Sequence, residues 1–404
     1  MFMDSKGMHL SLVSYNHALT HGVVLSVPIA ANYIQVELDL TYTPIFIAIS
    51  LFIFMYGVGA VLAGYLIDRI GAIKPMFVGI TITTLSMAAL LVSDNLYWFS
   101  IWIVVAGFGL SFGHPSGLTL VSQLYVKKRG KAMGTFGFVG QFGQFIPPIV
   151  AAAIGKFYFW NLIFLVFLVF YIVALIFCGL LLKTEVQCED VEKPEKIEYT
   201  KALGALFTGI VLFVLLLTAL RGNYYRAITS ILTYYANDVL KLDILAGAIF
   251  LSMMLIAGLP GHLIGGYLAD RFGPIRPLVF FSVLAIIGIL FCLSFNLLIL
   301  VIGLCIVGFS FFSAQPAENV LTANVSSLNV RGTLYGLKFL VSFGFSFVAL
   351  IVIGVFGDIY SLTIAFYIIL IFAVASALTV FGIAMVYRGP RKKKKAEDEK
   401  WDFE

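Results

Sequence analysis

The chain is 404 residues long, with 61% hydrophobic and 12% charged residues, against roughly 45–50% and about 25% in ordinary soluble domains. No soluble core hides that much apolar surface, which excludes a soluble enzyme or binding domain and points to the lipid bilayer. The formal charge of +5 reflects where loop lysines and arginines fall, so it gives no argument for a nucleic-acid partner.

Twelve apolar runs predict an all-α membrane protein, each near the roughly 20 residues that cross about 30 Å of hydrocarbon as a helix. In chain order they are 10–35, 44–67, 76–93, 97–124, 132–155 and 158–183, then 203–236, 243–269, 277–295, 298–323, 333–356 and 360–387. Span 1 holds histidines and lacks a small-residue cleavage site, so it reads as a retained helix and not as a cleaved signal. Its His17 and His21 lie four apart, about 40° around the helix. The loop after span 2 reads GYLIDRIGAIKP from Gly64 to Pro75, and His114-Pro115 falls near the middle of span 4.

Span 5 runs GTFGFVGQFGQFIPPIVAA from Gly134. Gly134, Gly137, Gly140 and Gly143 recur every third residue and allow tight helix contact, Gln141 and Gln144 lie among them, and Pro147-Pro148 predicts a bend. Span 7 carries Arg221, Tyr224, Tyr225 and Arg226; the two arginines are about 140° apart, so a regular helix turns only one of them to a given cavity. His262 in span 8, beside Pro260 and Gly261, reads as a helix-contact residue. The loop after span 8 reads GYLADRFGPIRP from Gly266 to Pro277. Span 10 carries a polar stripe of Gln315, Glu318, Asn319 and Thr322, and Lys338 lies early in span 11. Cys178, Cys292 and Cys305 sit in spans and Cys188 in a linker, which implies no disulfide framework.

The two loop sequences are 202 residues apart, half the chain length. Gly107-Phe108 recurs as Gly308-Phe309, Pro115 as Pro316 and Arg129-Gly130 as Arg331-Gly332. The chain is therefore a tandem duplication: a first six-helix bundle at 1–183, a charged cytoplasmic linker at 184–202, a second bundle at 203–388, and a disordered cytoplasmic tail at 389–404 placed to touch anionic lipid. Of the 26 Lys and Arg residues, Lys156 and Lys241 alone fall in the opposite set of loops, and Arg221, Arg226 and Lys338 fall inside spans. By the positive-inside rule both termini are cytoplasmic, in a plasma or inner membrane.

Six plus six spans and a doubled G-x-L-x-D-R-x-G loop, carried by Gly64, Leu66, Asp68, Arg69, Gly71 and by Gly266, Leu268, Asp270, Arg271, Gly273, resemble the major facilitator superfamily of secondary transporters over the whole chain. The resemblance implies two pseudo-symmetric bundles, a cavity lined by spans 1, 4, 7 and 10, and a gate made by Gly64, Asp68, Arg69, Gly71, Asp270, Arg271 and Gly273 that latches one half to the other. Span 5 is similar to the antiporter motif of proton-linked drug exporters at Gly134, Gly143 and Pro148, but has Pro147, Ala151 and Ala152 where that motif has glycine, and Ile103 replaces the exporters' span-4 arginine. A loose likeness to the fosmidomycin-resistance branch rests on His114-Pro115 and a histidine early in span 1.

Ionisable groups at membrane depth cost several kcal/mol unless they face protein or a wet cavity. Arg221, which keeps its proton, is expected to hold substrate charge, with Tyr224, Tyr225, Gln141, Gln144 and Gln315 as polar or stacking supports. His17, His21, His114 and Glu318 are the proton-carrier candidates. Two alternatives stay open: a structural Glu318–Lys338 pair, and packed structural histidines. A three-histidine metal site is set aside because one pair alone is local, so no metal is expected. With no phosphate-binding G-x-x-x-x-G-K-[ST] loop and no H-E-x-x-H, neither enzyme activity nor a cofactor is expected. The resulting expectation is a monomeric alternating-access transporter, partnered by a small-molecule substrate, protons and lipid, exporting an organic anion or drug-like compound against protons. An anion exchanger or uniporter without proton coupling, or a non-transporting receptor or scaffold of the same fold, are the alternatives.

Overall fold

A computed structural model describes residues 5–125, 129–182, 209–294, 296–325 and 331–387; side chains at 68, 122, 129–131, 133–134, 331–333 and 335–336 are outside that description. The expected linker and tail also lie outside the described residues. Twelve helices are long and apolar enough to cross a membrane: α1 Ser5–Glu37, α2 Tyr42–Ile67, α3 Ile73–Leu91, α4 Leu96–Val121, α5 Thr135–Phe157, α6 Leu162–Leu181, α7 Gly209–Val239, α8 Ile244–Phe272, α9 Ile275–Cys292, α10 Leu297–Val325, α11 Leu337–Ile359 and α12 Leu362–Val386. The protein is an integral, multi-pass, all-α membrane protein.

Packing repeats between the halves as the sequence does. In the first bundle α1 packs on α5 and α6, α2 on α4, and α3 on α4 and α6; in the second, α7 packs on α11 and α12, α8 on α10, and α9 on α10 and α12. Between the bundles α2 runs along α11 and α5 along α8. Lipid tails are as apolar as leucine, so small residues that let backbones approach hold these contacts. At the α2–α11 crossing, a Cβ on Gly57 would lie 2.8 Å from Gly344 Cα. The last glycine of each D-R-x-G loop caps its helix in nearly the same conformation, φ 80° and ψ 168° at Gly71 and φ 76° and ψ 168° at Gly273. That positive φ explains why the signature ends in glycine.

Three helices are interrupted where the sequence suggested continuous spans. α4 breaks between Leu110 and Gly113: Pro115 has no N–H to return to the Ser111 carbonyl, and Ser111 Oγ donates to Phe108 O at 2.6 Å. α8 breaks at Gly258, just ahead of Pro260, and α11 breaks after Gly344. The helix through α5, by contrast, runs unbroken from Arg129 to Phe157. Pro147 and Pro148 therefore do not interrupt it; Gly22 of α1 sits directly against the Pro147 ring, so α1 braces that stretch.

Candidate functional site

Three helix segments meet near mid-length. His17 and His21 lie on one face of α1, as their spacing requires, and His114 enters from the break in α4. A carbonyl only accepts, so His17 Nδ1, 3.0 Å from Phe136 O, carries the ring proton. Its Nε2 then accepts from His21 Nε2 at 2.9 Å. The His17 ring stacks on Phe136, 4.1 Å between centroids and 9° from parallel, and the His114 ring stands 4.7 Å from His17 and 5.0 Å from His21. One nitrogen of each histidine lies within 4.8 Å of the other two. The cluster is tertiary, which is why sequence spacing revealed only the α1 pair.

The two arginines of α7 part company. Arg221 forms an ion pair with Glu318 of α10, donates from Nη2 to Phe311 O at 2.7 Å and lies over the Phe311 ring. Glu318 also accepts from Lys338 Nζ at 3.0 Å and from Thr218 Oγ1 at 2.6 Å. The Glu318–Lys338 pair left open from sequence thus exists, and Arg221 completes it as a buried cluster of two cations and one carboxylate. Two cations and a hydroxyl donor surround its carboxylate in this conformation.

Arg226 has no such partner. Its guanidinium lies 4.5 Å from the Phe343 ring centroid and 5.6 Å from that of Tyr225, is 9% exposed, and makes no ion pair or hydrogen bond among the described residues. It is within electrostatic reach of His21, His114 and Tyr56, and the buried Tyr56 hydroxyl likewise lacks a partner. Unlike Arg221, Arg226 therefore has no anionic partner among the described residues. Tyr56 and Phe343 were missed because nothing in the sequence places spans 2 and 11 beside span 7.

The supporting residues divide as well. Tyr225 stacks on Phe311 at 3.9 Å, Tyr224 meets Phe311 edge-on, and Tyr225 Oη comes within 3.5 Å of Gln144 Oε1 across the bundles. Gln141 Nε2 lies 3.2 Å from His262 Nε2, so His262 joins the interface between bundles. Gln315 is exposed and bonded to none of these residues, although its spacing puts it on the α10 face of Phe311, Glu318 and Thr322. A groove of about 530 Å³ lies between α7, α10 and α12 beside Phe213, Asn324 and Tyr387, away from these groups.

At the D-R-x-G end the expected latch is not formed among the described residues. The Asp68 side chain lies outside them; Asp270 is exposed; Arg69 lies over Tyr65, and Arg271 donates to Tyr267 Oη at 2.8 Å, each within its own helix. Gly64, expected to admit a neighbouring helix, borders open space. The opposite end is fastened instead. Tyr42 and Thr43 donate their backbone N–H groups to Asp358 at 2.6 and 2.9 Å, Tyr42 Oη donates to Asp238 at 3.0 Å, Lys156 pairs with Asp243 at 2.6 Å, and Tyr234 Oη donates to Pro28 O at 2.9 Å. Asp358 lies just beyond residue 356, where the apolar run predicts span 11 to end.

Comparison with known proteins follows this geometry. The family profile described as Major Facilitator Superfamily matches residues 18–347. The chain is similar to the uncharacterized MFS-type transporter YfnC of Bacillus subtilis, 23% identical over 361 residues that cover 88% of this chain and 87% of the relative. It is 30% identical over 129 residues to a probable L-galactonate transporter of Escherichia coli, covering 31% and 28% of the two chains. Among solved structures, a bacterial homolog of the human lysosomal transporter Spinster, inward-facing and occupied, aligns at TM-score 0.78 and 13% identity over 96% of this chain and 98% of its own. The nucleoside transporter NupG aligns at TM-score 0.76 and 15% identity over 95% and 100%. At these identities the structural likeness is one of fold.

Proposed function

The chain belongs to the major facilitator superfamily, and on that premise we propose that it is a secondary active transporter carrying a small organic anion together with a proton by alternating access. The observation that carries this reading is Arg226, a cation between the bundles with no carboxylate beside it among the described residues. Burying an unpaired charge costs several kcal/mol, and an anion bound beside it removes that cost. The relative named for L-galactonate, a carboxylate, supports an anionic substrate.

Coupling follows from the neighbouring cluster. An anion at Arg226 adds negative charge on the side of α7 away from the Arg221–Glu318 pair, and a nearby like charge disfavours the ionised form of Glu318. Glu318 then takes a proton more readily, so anion and proton favour the same loaded state. Ligands that load together travel together, which argues for symport over the exchange expected from the exporter-like span 5. Gly143 of that span has a packing role that accounts for it equally well, lying against the Ala18 backbone. With both termini cytoplasmic, the fastened end faces outward and the D-R-x-G end inward, an inward-facing conformation of two bundles, 1–183 and 203–388, that rock about the site.

Binding to the purified protein tests the reading. L-galactonate is expected to raise the thermal unfolding temperature, and its uncharged reduced analogue galactitol to leave it unchanged. Arg226→Gln should weaken L-galactonate binding about 10- to 100-fold, the loss of one or more charge-assisted hydrogen bonds. Equal binding by wild type and Arg226→Gln contradicts the assignment.

A further inference from the structure

The histidine cluster is not needed for the coupling argued above. A proton on any of the three adds a second positive charge beside Arg226, and no carboxylate joins the cluster among the described residues. Three imidazoles with converging ring nitrogens suit a different ligand.

One pair already stands near the spacing of metal ligands, and the third histidine's nitrogen lies within 4.8 Å of both. The Phe136 carbonyl fixes the His17 proton on Nδ1 and turns the Nε2 lone pair into the cluster, the outer hydrogen bond by which metal-bound imidazoles are held in one tautomer. A tetrahedral ion about 2.0–2.1 Å from each nitrogen sets the nitrogens roughly 3.3 Å apart. His17 Nε2 and His21 Nε2 are 2.9 Å apart, so a small outward shift and a proton moved to His21 Nδ1 satisfy it. His114 comes from the broken stretch of α4, where the backbone is not locked into a continuous helix. An all-imidazole set suits Zn²⁺, Co²⁺, Ni²⁺ or Cu²⁺, and not Mg²⁺ or Ca²⁺, which take oxygen.

We infer that His17, His21 and His114 form a three-imidazole site for a divalent transition-metal ion whose fourth ligand is an anionic oxygen donor held by Arg226. Three protein ligands leave one position open. Arg226 opposes a bare dication there and favours one that carries its own negative ligand. The fourth-ligand part rests on the reading of Arg226 as the anion-binding residue; the three-histidine site does not.

Cobalt is the probe, because four-coordinate Co²⁺ absorbs strongly in the visible and six-coordinate Co²⁺ only weakly. Tag-free, full-length protein in detergent at neutral pH is expected to bind one Co²⁺ per chain with the four-coordinate spectrum, and L-galactonate should shift its bands. His17→Gln and His114→Gln should each lose the bands while remaining monodisperse with unchanged far-UV circular dichroism; His21→Gln is read in place of either if it does not fold. His262→Gln should keep them. A monodisperse wild type showing only the weak spectrum overturns the site, as do bands that survive in the cluster variants; bands indifferent to L-galactonate overturn the anionic fourth ligand. Bands without any L-galactonate binding in the thermal assay sink the transport reading and the anionic fourth ligand while the three-histidine site stands, whereas L-galactonate binding without bands sinks the metal site alone.

Discussion

Arg221 and Arg226 stand five residues apart on α7, about 140° around the helix, and that angle decides their roles. Arg221 turns into its own bundle, to Glu318, while Arg226 turns to the histidines and Tyr56 of the other. Removing the carboxylate with Glu318→Gln leaves two buried cations without a counter-charge, and a loss of about 3–5 kcal/mol is expected in unfolding measurements. A second, milder loss for Lys338→Met would fit, since Arg221 and Glu318 still balance. If Glu318→Gln proves as stable as wild type, the cluster is open to water and the coupling argument fails. Lys156 and Asp243 make the contrasting case. They are 38% and 51% exposed in their side chains, a pair worth about 0–1 kcal/mol. The Lys156 hydrogen bond holds the Asp243 carboxyl below its ordinary value. Its contribution is therefore complete above about pH 4 and lost below, so any pH dependence of transport between about pH 5 and 8 does not arise from this pair.

Among the elements, the closing glycines of the two loops carry a prediction that the duplication sharpens. Gly71 and Gly273 share a positive φ that an L side chain adopts only with strain. Gly71→Ala and Gly273→Ala should each cost about 1–3 kcal/mol by thermal or denaturant unfolding. A null effect at both would mean the loops relax freely. Gly57→Val acts elsewhere, forcing α2 from the α11 backbone, and should impair assembly of the bundles while leaving each helix intact. The elements themselves were legible in the sequence because crossing a bilayer fixes helix length, and the repeated D-R-x-G loop fixed the duplication. Breaks in α4, α8 and α11 were not, since they depend on how Pro115, Pro260 and Gly344 meet neighbouring helices. The site was legible only in part. Histidine spacing on α1 and the Glu318–Lys338 pair were readable, but the approach of the third histidine, the Arg221 partner of Glu318 and the isolation of Arg226 are contacts between distant segments.

At the scale of the molecule, polar contacts between the bundles among the described residues lie at mid-length or toward the end closed by Asp358. This carboxylate of the second bundle caps the first turn of α2 in the first, an interaction worth about 0.5–2 kcal/mol. Asp358→Ala should speed hydrogen exchange at residues 42–46 and shift the protein away from the present conformation; Lys156→Ala should do neither. The account's central claim is that anion and proton move together through the site at Arg226, and uptake by proteoliposomes tests it most directly. Internal pH and radiolabelled L-galactonate are followed together with the exterior made acidic. The account predicts that the gradient accelerates uptake, that the lumen acidifies as anion enters, and that Arg226→Gln abolishes both. Uptake that ignores the gradient, or that persists in Arg226→Gln, contradicts it.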